Sequence, residues 1–275
     1  MNLLAPIERD FFVNGLKLHL LDWGGEEREP LLLLHGFASH AHAWDTLAIA
    51  LQPHFRVLAL DQRGHGDSDP ADQYGPTFTA SDIDGILDQL GIERLILIGL
   101  SMGGRNAMYY AATRPHRVTR LVVIDIGPEV SRRASEMAGP PEPETWESIE
   151  HAARHLHRSN PYPGIHYFRW VVSHSLKRRE DGALVWKWSP TIRQRSGIGA
   201  EIDWWQIVRD IQAPTLILRG AFSPVLDAEV AERMAAELRD GRYVEIPESF
   251  HTLHEDNPEA VQTALEDFLG FRGVR

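Results

Sequence analysis

Short, uninterrupted apolar runs recur along the chain, separated by segments in which apolar residues return every three or four positions. The runs at residues 31–34, 57–60, 95–98 and 121–124 have strand length and almost no polar character. Strands covered on both faces have this composition, as in a parallel sheet. Runs at 215–218 and 243–246 extend the series. The chain opens differently, with Phe11-Phe12-Val13, the turn pair Asn14-Gly15 and an alternating stretch to Leu21, which together predict a β-hairpin. Helical patterns lie at 44–51, at 80–90 with Gly91 as a stop, at 106–113 and at 230–238. A last helix opens at Asn257-Pro258-Glu259 and runs to Leu269. Alternating strands and helices predict a doubly wound α/β sheet.

The alternation breaks between residues 131 and 205. Pro140, Pro141 and Pro143 mark a linker, and Thr145 is expected to open a helix with Trp146, Ile149, Ala153 and Leu156 on one face. No clear buried strand follows until Pro214. Trp146, Trp170, Trp186, Trp188, Trp204 and Trp205 fall within this window. It reads as a helical cap (131–205) inserted after strand 6 of a core made from residues 1–130 and 206–275; loops filled with aromatic core residues are the plainer alternative.

Composition narrows the classes. Among 275 residues, 43% hydrophobic and 24% charged is a globular balance, and the absence of cysteine excludes disulfides, thiolate metal sites and a cysteine nucleophile. A net charge of -11 repels phosphate backbones, so no nucleic-acid partner is expected. The first ten residues lack the basic and apolar regions of a signal peptide, and no apolar run reaches the ~18 residues of a spanning helix. The expectation is a cytoplasmic protein without a membrane partner.

Gly99-Leu100-Ser101-Met102-Gly103 follows the buried run at 95–98 and precedes a helical pattern. That context suits a serine on a sharp strand-to-helix turn, where close backbone approach leaves no room for side chains beside it. Together with Leu31 to Phe37, which ends in a His-Gly-X turn, and Asp61-Gln62-Arg63-Gly64-His65-Gly66-Asp67-Ser68, this elbow resembles the α/β-hydrolase fold superfamily over nearly the whole chain. The resemblance implies a mostly parallel eight-stranded sheet with helices on both faces. The Gly-Leu-Ser-Met-Gly-Gly variant is shared by esterases, enol-lactone hydrolases, cofactor-free haloperoxidases and carbon–carbon bond hydrolases, so it does not separate these activities.

The resemblance also implies roles. Ser101 is the nucleophile, and the base is a histidine after the last strand, His251, with His254 as the alternative. Backbone N–H groups of Met102 and Phe37 would form the oxyanion hole. His35, Asp61 and His65 are expected to hold loops rather than do chemistry, and the histidines at 151, 155, 157, 166 and 174 to lie on the surface. The acid departs from the pattern. Where relatives place an aspartate after the seventh core strand, this chain has Pro224, and Phe250 replaces the glycine common before the histidine. A bulky residue tolerates positive φ poorly. Asp125, at the end of the run 121–124, is the preferred acid; Asp227, whose simplest role is to cap the helix after it, and no conventional acid at all remain open.

The expected function is cofactor-independent and metal-free hydrolysis of a small hydrophobic ester or lactone through an acyl-enzyme, with the tryptophans walling an apolar pocket. Carbon–carbon bond hydrolysis or perhydrolysis with the same triad is the alternative within enzymes. A ligand-binding protein whose catalysis has decayed is the alternative outside them, suggested by Pro224 and Phe250. Dehalogenase and epoxide hydrolase chemistry usually require an aspartate where Ser101 stands.

Overall fold

The computed structural model describes residues 5–136, 143–192 and 202–272. The expected linker prolines Pro140 and Pro141 lie outside these. Eight strands make one sheet: β1 (Ile7–Val13), β2 (Leu16–Asp22), β3 (Pro30–Leu34), β4 (Arg56–Leu60), β5 (Leu95–Leu100), β6 (Val118–Ile124), β9 (Thr215–Gly220) and β10 (Gly241–Ile246). Their order is β1-β2-β4-β3-β5-β6-β9-β10. The predicted hairpin is β1–β2; β1 pairs antiparallel with β2 and β2 with β4, and all other pairings are parallel. Burial follows position. Every residue of β4, β5 and β9 is buried, whereas the edge strand β1 is exposed along most of its length.

Helices cover both faces. Leu47, Ala48 and Leu51 of α1 (Asp45–Leu51) share one face with Val261, Leu265 and Leu269 of α9 (Pro258–Leu269). The opposite face carries α2 (Pro76–Leu90), α3 (Met102–Thr113), α7 (Trp204–Asp210) and α8 (Ala228–Glu237). The chain passes from β3 outward to β4, then crosses back to β5 on the other side of β3. Such a reversal opens a crevice at the carboxyl ends of the strands, where ligands of α/β sheets bind.

Between β6 and β9 the chain forms α4 (Arg133–Glu136), α5 (Ile149–Ser159), α6 (Ile165–Ser175) and a small antiparallel pair, β7 (Leu176–Arg178) with β8 (Leu184–Trp186). Trp146, Ala152, Ala153, Phe168, Val172 and Leu176 form a separate cluster there. Two expectations are corrected. The helix expected at Thr145 begins at Ile149, because Ser148 accepts the N–H of His151 as its cap and Trp146 instead bridges Leu184. The β7–β8 pair was not expected: three-residue strands with exposed Lys177 and Arg178 carry too little alternation, and only Asp181-Gly182 at the turn, with Gly182 at φ 88°, signals it.

Candidate active site

Ser101 is the single residue between β5 and α3. It takes φ 54° and ψ −118°, a conformation that costs a non-glycine residue about 1–3 kcal/mol and that persists only where the surroundings enforce it. The enforcement is steric. A Cβ on Gly99 would lie 2.3 Å from the Gly103 carbonyl oxygen, and one on Gly103 would lie 2.2 Å from that of Leu34. The two glycines let α3 press against the ends of β3 and β5, which turns Ser101 outward. The loop after β3 closes in from the other side, where a Cβ on Gly36 would meet Ser101 Cβ at 3.4 Å. Phe37 follows at once, and Met102 is the first residue of α3. Both oxyanion candidates therefore flank Ser101 in the chain geometry.

One strand over, Asp125 follows β6 and is fully buried. Like Ser101 it takes a positive φ, 50°. Ser101 N–H donates to the Ile124 carbonyl at 3.0 Å and Asp125 N–H to that of Leu218 at 2.8 Å, so both turns are tied into the sheet. His251 lies in the loop after β10, and its Nδ1 meets Asp125 Oδ2 at 2.7 Å. A carboxylate can only accept, so Nδ1 carries a proton, and in the neutral tautomer this leaves the lone pair on Nε2. Among the described residues, Ser101 and His251 are not joined by a hydrogen bond.

The alternatives are placed elsewhere. His254 is buried against the Trp44 ring at 4.3 Å, and burial, with His251 nearby, lowers its pKa to about 3. Asp227 occupies the N-cap position of α8, but its carboxylate makes no cap bond; it pairs with Arg133 at 2.5 Å, which holds it below the usual carboxylate range. The expected capping role is thus replaced by an ion pair. Phe250 does not strain the histidine loop, because the positive φ falls on Glu248 at 51°. The Phe250 ring packs on Tyr162 and Phe222 (5.3 and 5.9 Å), and its N–H donates to Asp256 Oδ2 at 2.7 Å. Asp256 Oδ1 accepts from Asn160 at 2.6 Å, and Glu255 accepts from the Tyr167 hydroxyl, which fastens the histidine loop to α6 and the segment before it. These anchors are polar side chains whose partners lie far away in the chain, so the sequence pattern does not mark them.

His35, Asp61 and His65 hold loops. His35 Nε2 accepts the N–H of Gln62 at 3.1 Å, while Gln62 donates to the His35 carbonyl and accepts from Asn106, each at 2.7 Å. Asp61 accepts from Ala41 N–H (2.7 Å), Asp67 N–H (2.9 Å) and His19 (2.8 Å). Burial would raise the Asp61 pKa, but the His19 bond and neighbouring histidines drive it below the usual range. Among the described residues, His19, Asp61 and Asp67 are the one set of three or more His, Asp or Glu side chains whose ligand atoms all lie within 4.8 Å of one another. Asp61 already accepts three hydrogen bonds, with which a metal there would compete.

The six tryptophans do not share one wall. Trp204 and Trp205 pack on the core, Arg105 and Arg233 lying over their rings at 5.0 and 3.7 Å. Trp146 and Trp186 pack on each other at 5.3 Å, and Trp170 donates to Asp45 at 3.0 Å. The Trp188 ring lies 5.5 Å from the ring of Phe37, an expected site residue.

Burial also makes acid sensitivity predictable. It lowers the pKa of His35 and His40 to about 4 and of His65 and His254 to about 3. Below the unfolded value of 6.5 the unfolded chain binds protons that the folded chain refuses, so each of these costs stability as pH falls, by up to about 1.4 kcal/mol per pH unit. Burial raises the Glu255 and Asp256 pKa values, which opposes this trend, but two groups do not offset four. Thermal melts should show Tm falling as pH is lowered from about 6.5 towards 4; a flat profile would contradict the burial argument.

A family model described as "alpha/beta hydrolase fold" matches residues 29–258. The chain is 29% identical to a 2-(acetamidomethylene)succinate hydrolase of Mesorhizobium japonicum, over 98% of this chain and 99% of that one. It is also 29% identical to an esterase of Mycobacterium tuberculosis, over 98% and 91%. A solved E-2-(acetamidomethylene)succinate hydrolase superposes with TM-score 0.86 at 28% identity, covering 96% of this chain and 99% of that one. An α/β hydrolase from Novosphingobium aromaticivorans superposes with TM-score 0.81 at 31% identity, covering 97% and 98%.

Proposed function

Because the chain belongs to the alpha/beta hydrolase fold family and is a hydrolase by its relatives, we propose that it is a serine hydrolase cleaving a small hydrophobic ester or lactone through an acyl-enzyme. Ser101 Oγ attacks the carbonyl carbon as His251 Nε2 takes its proton. Asp125 holds the opposite ring nitrogen and offsets the positive charge that forms. The oxyanion accepts from the Phe37 and Met102 N–H groups. Collapse expels the alcohol, which takes the proton from His251; a water activated by the same nitrogen then releases the acid.

The observation carrying this reading is the 2.7 Å contact between His251 Nδ1 and the fully buried Asp125, one strand from the Ser101 turn. It also weakens the decayed-protein alternative, since a buried carboxylate meets His251 where Pro224 can offer none. A fluorophosphonate probe tests it. Mass spectrometry should find the adduct on Ser101 alone; labelling elsewhere, or none in folded protein, would sink the proposal.

We further propose that residues between β6 and β9 cap the site and that Trp188, with Phe37, contacts the acyl or alcohol group. Trp188→Ala should change the ratio of kcat/KM for long and short p-nitrophenyl esters by ~10-fold or more, the value of a few buried methylenes. Equal loss at every chain length would mean that Trp188 only supports the fold.

A further inference from the structure

Ser223 lies in the loop after β9, next to the position where the resemblance led one to look for an acid. It is fully buried, and its hydroxyl has no spare bonding capacity. Oγ accepts the N–H groups of Val225 at 3.0 Å and Leu226 at 3.1 Å, so its one proton goes to Asp125 Oδ2, 2.6 Å away. That is the carboxylate oxygen that also meets His251 Nδ1 at 2.7 Å. The other oxygen accepts Gly220 N–H at 3.1 Å, again from the end of β9. Both oxygens are thereby held, and the plane of the carboxylate, otherwise free to turn about a broad terminal torsion, is fixed against the imidazole.

Pro224 keeps the hydroxyl aimed. A residue before proline is driven out of the helical region, so Ser223 is kept from joining the turns that lead into α8. Its own N–H is committed to the Gly220 carbonyl at 2.9 Å. We propose that Ser223 is a positioning residue for the reaction: the loop after β9, which lacks the carboxylate, supplies the hydroxyl that orients the carboxylate provided at the end of β6. This rests on the hydrolase reading above and adds to it a residue that acts through Asp125 without touching substrate.

The test uses Ser223→Ala and Ser223→Cys, the second keeping the volume while offering only a weak donor in case the first fails to fold. Both should lower kcat by ~10–100-fold, the worth of one hydrogen bond to a charged group, with KM within about twofold of wild type. The proton on His251 Nδ1 is followed by NMR, with Asp125→Asn as the reference in which its bond to a carboxylate is gone. In either folded Ser223 variant this resonance should shift or broaden. A serine that only shapes the turn would lower Tm but leave both the resonance and the kcat of the folded enzyme at wild-type values, and that result overturns the proposal. Should the wild type hydrolyse no ester, the function reading fails by itself. The resonance then decides the Ser223 question alone: a change supports it and an unchanged signal overturns it.

Discussion

Ser101→Ala should lower kcat on the best p-nitrophenyl ester by ~10⁴-fold or more while KM and Tm stay near wild type. Removing Oγ deletes the atom that forms the acyl bond, so His251 and the oxyanion donors are left to assist only direct attack by water. Stability should be spared for a structural reason. The turn is set by the close contacts at Gly99 and Gly103, and its tie to the sheet is the backbone bond to Ile124. Alanine leaves both in place, and it keeps the φ of 54° that already strains serine. The substitution therefore separates chemistry from folding. Stopped-flow measurement with wild type should show a burst of p-nitrophenol where deacylation is slow, and the burst should vanish in the variant. A variant retaining a tenth of the wild-type rate would mean that another group is the nucleophile.

The sheet was legible because its signal is local. A run such as 95–98 has one good solution, a strand covered on both faces, and β5 is buried throughout. The elbow was legible for the same reason: two glycines that leave room for backbone leave a pentapeptide trace. What the chain does between β6 and β9 was less so. Trp204 and Trp205 look, by proximity in sequence, like companions of Trp186 and Trp188, yet α7 turns them onto the core beside α3 and α8. The resemblance implies strain at Phe250, but in this loop the positive φ falls on Glu248. Ser223 was invisible because its meaning depends on Asp125, 98 positions away, and nothing in a Ser-Pro pair distinguishes a turn from a hydrogen-bond donor aimed at a carboxylate.

Asp125→Asn should cost ~10³–10⁴-fold in kcat, and the loss should come from the tautomer of His251. Asparagine has nearly the same shape as aspartate, so its amide oxygen can still accept the Gly220 N–H at the Oδ1 position, while the Oδ2 position shared by the Ser223 hydroxyl and His251 becomes nitrogen. The other end of the amide is an NH₂ group, which donates. Facing that donor, His251 turns its unprotonated nitrogen towards residue 125 and leaves Nε2 carrying a proton, where it cannot take one from Ser101. The imidazolium also loses its counter-charge at the moment it forms. Asp227→Asn should have almost no effect on kcat, since Asp227 is paired with Arg133 and the carboxylate on His251 is that of Asp125. The contrast between the two variants, read with circular dichroism to show that both are folded, locates the acid: the reverse pattern would move it to Asp227, and no loss in either would reduce the working unit to a Ser–His dyad. Pro224→Asp placed in the Asp125→Asn background adds the last discrimination. Recovery of ~10-fold or more in kcat would show that the loop after β9 can still bring a carboxylate to the ring, and that Asp125 matters for its charge rather than for its place in the sheet. Failure to recover, with fold and KM intact, would instead tie the reaction to the carboxylate plane that Ser223 and Gly220 hold.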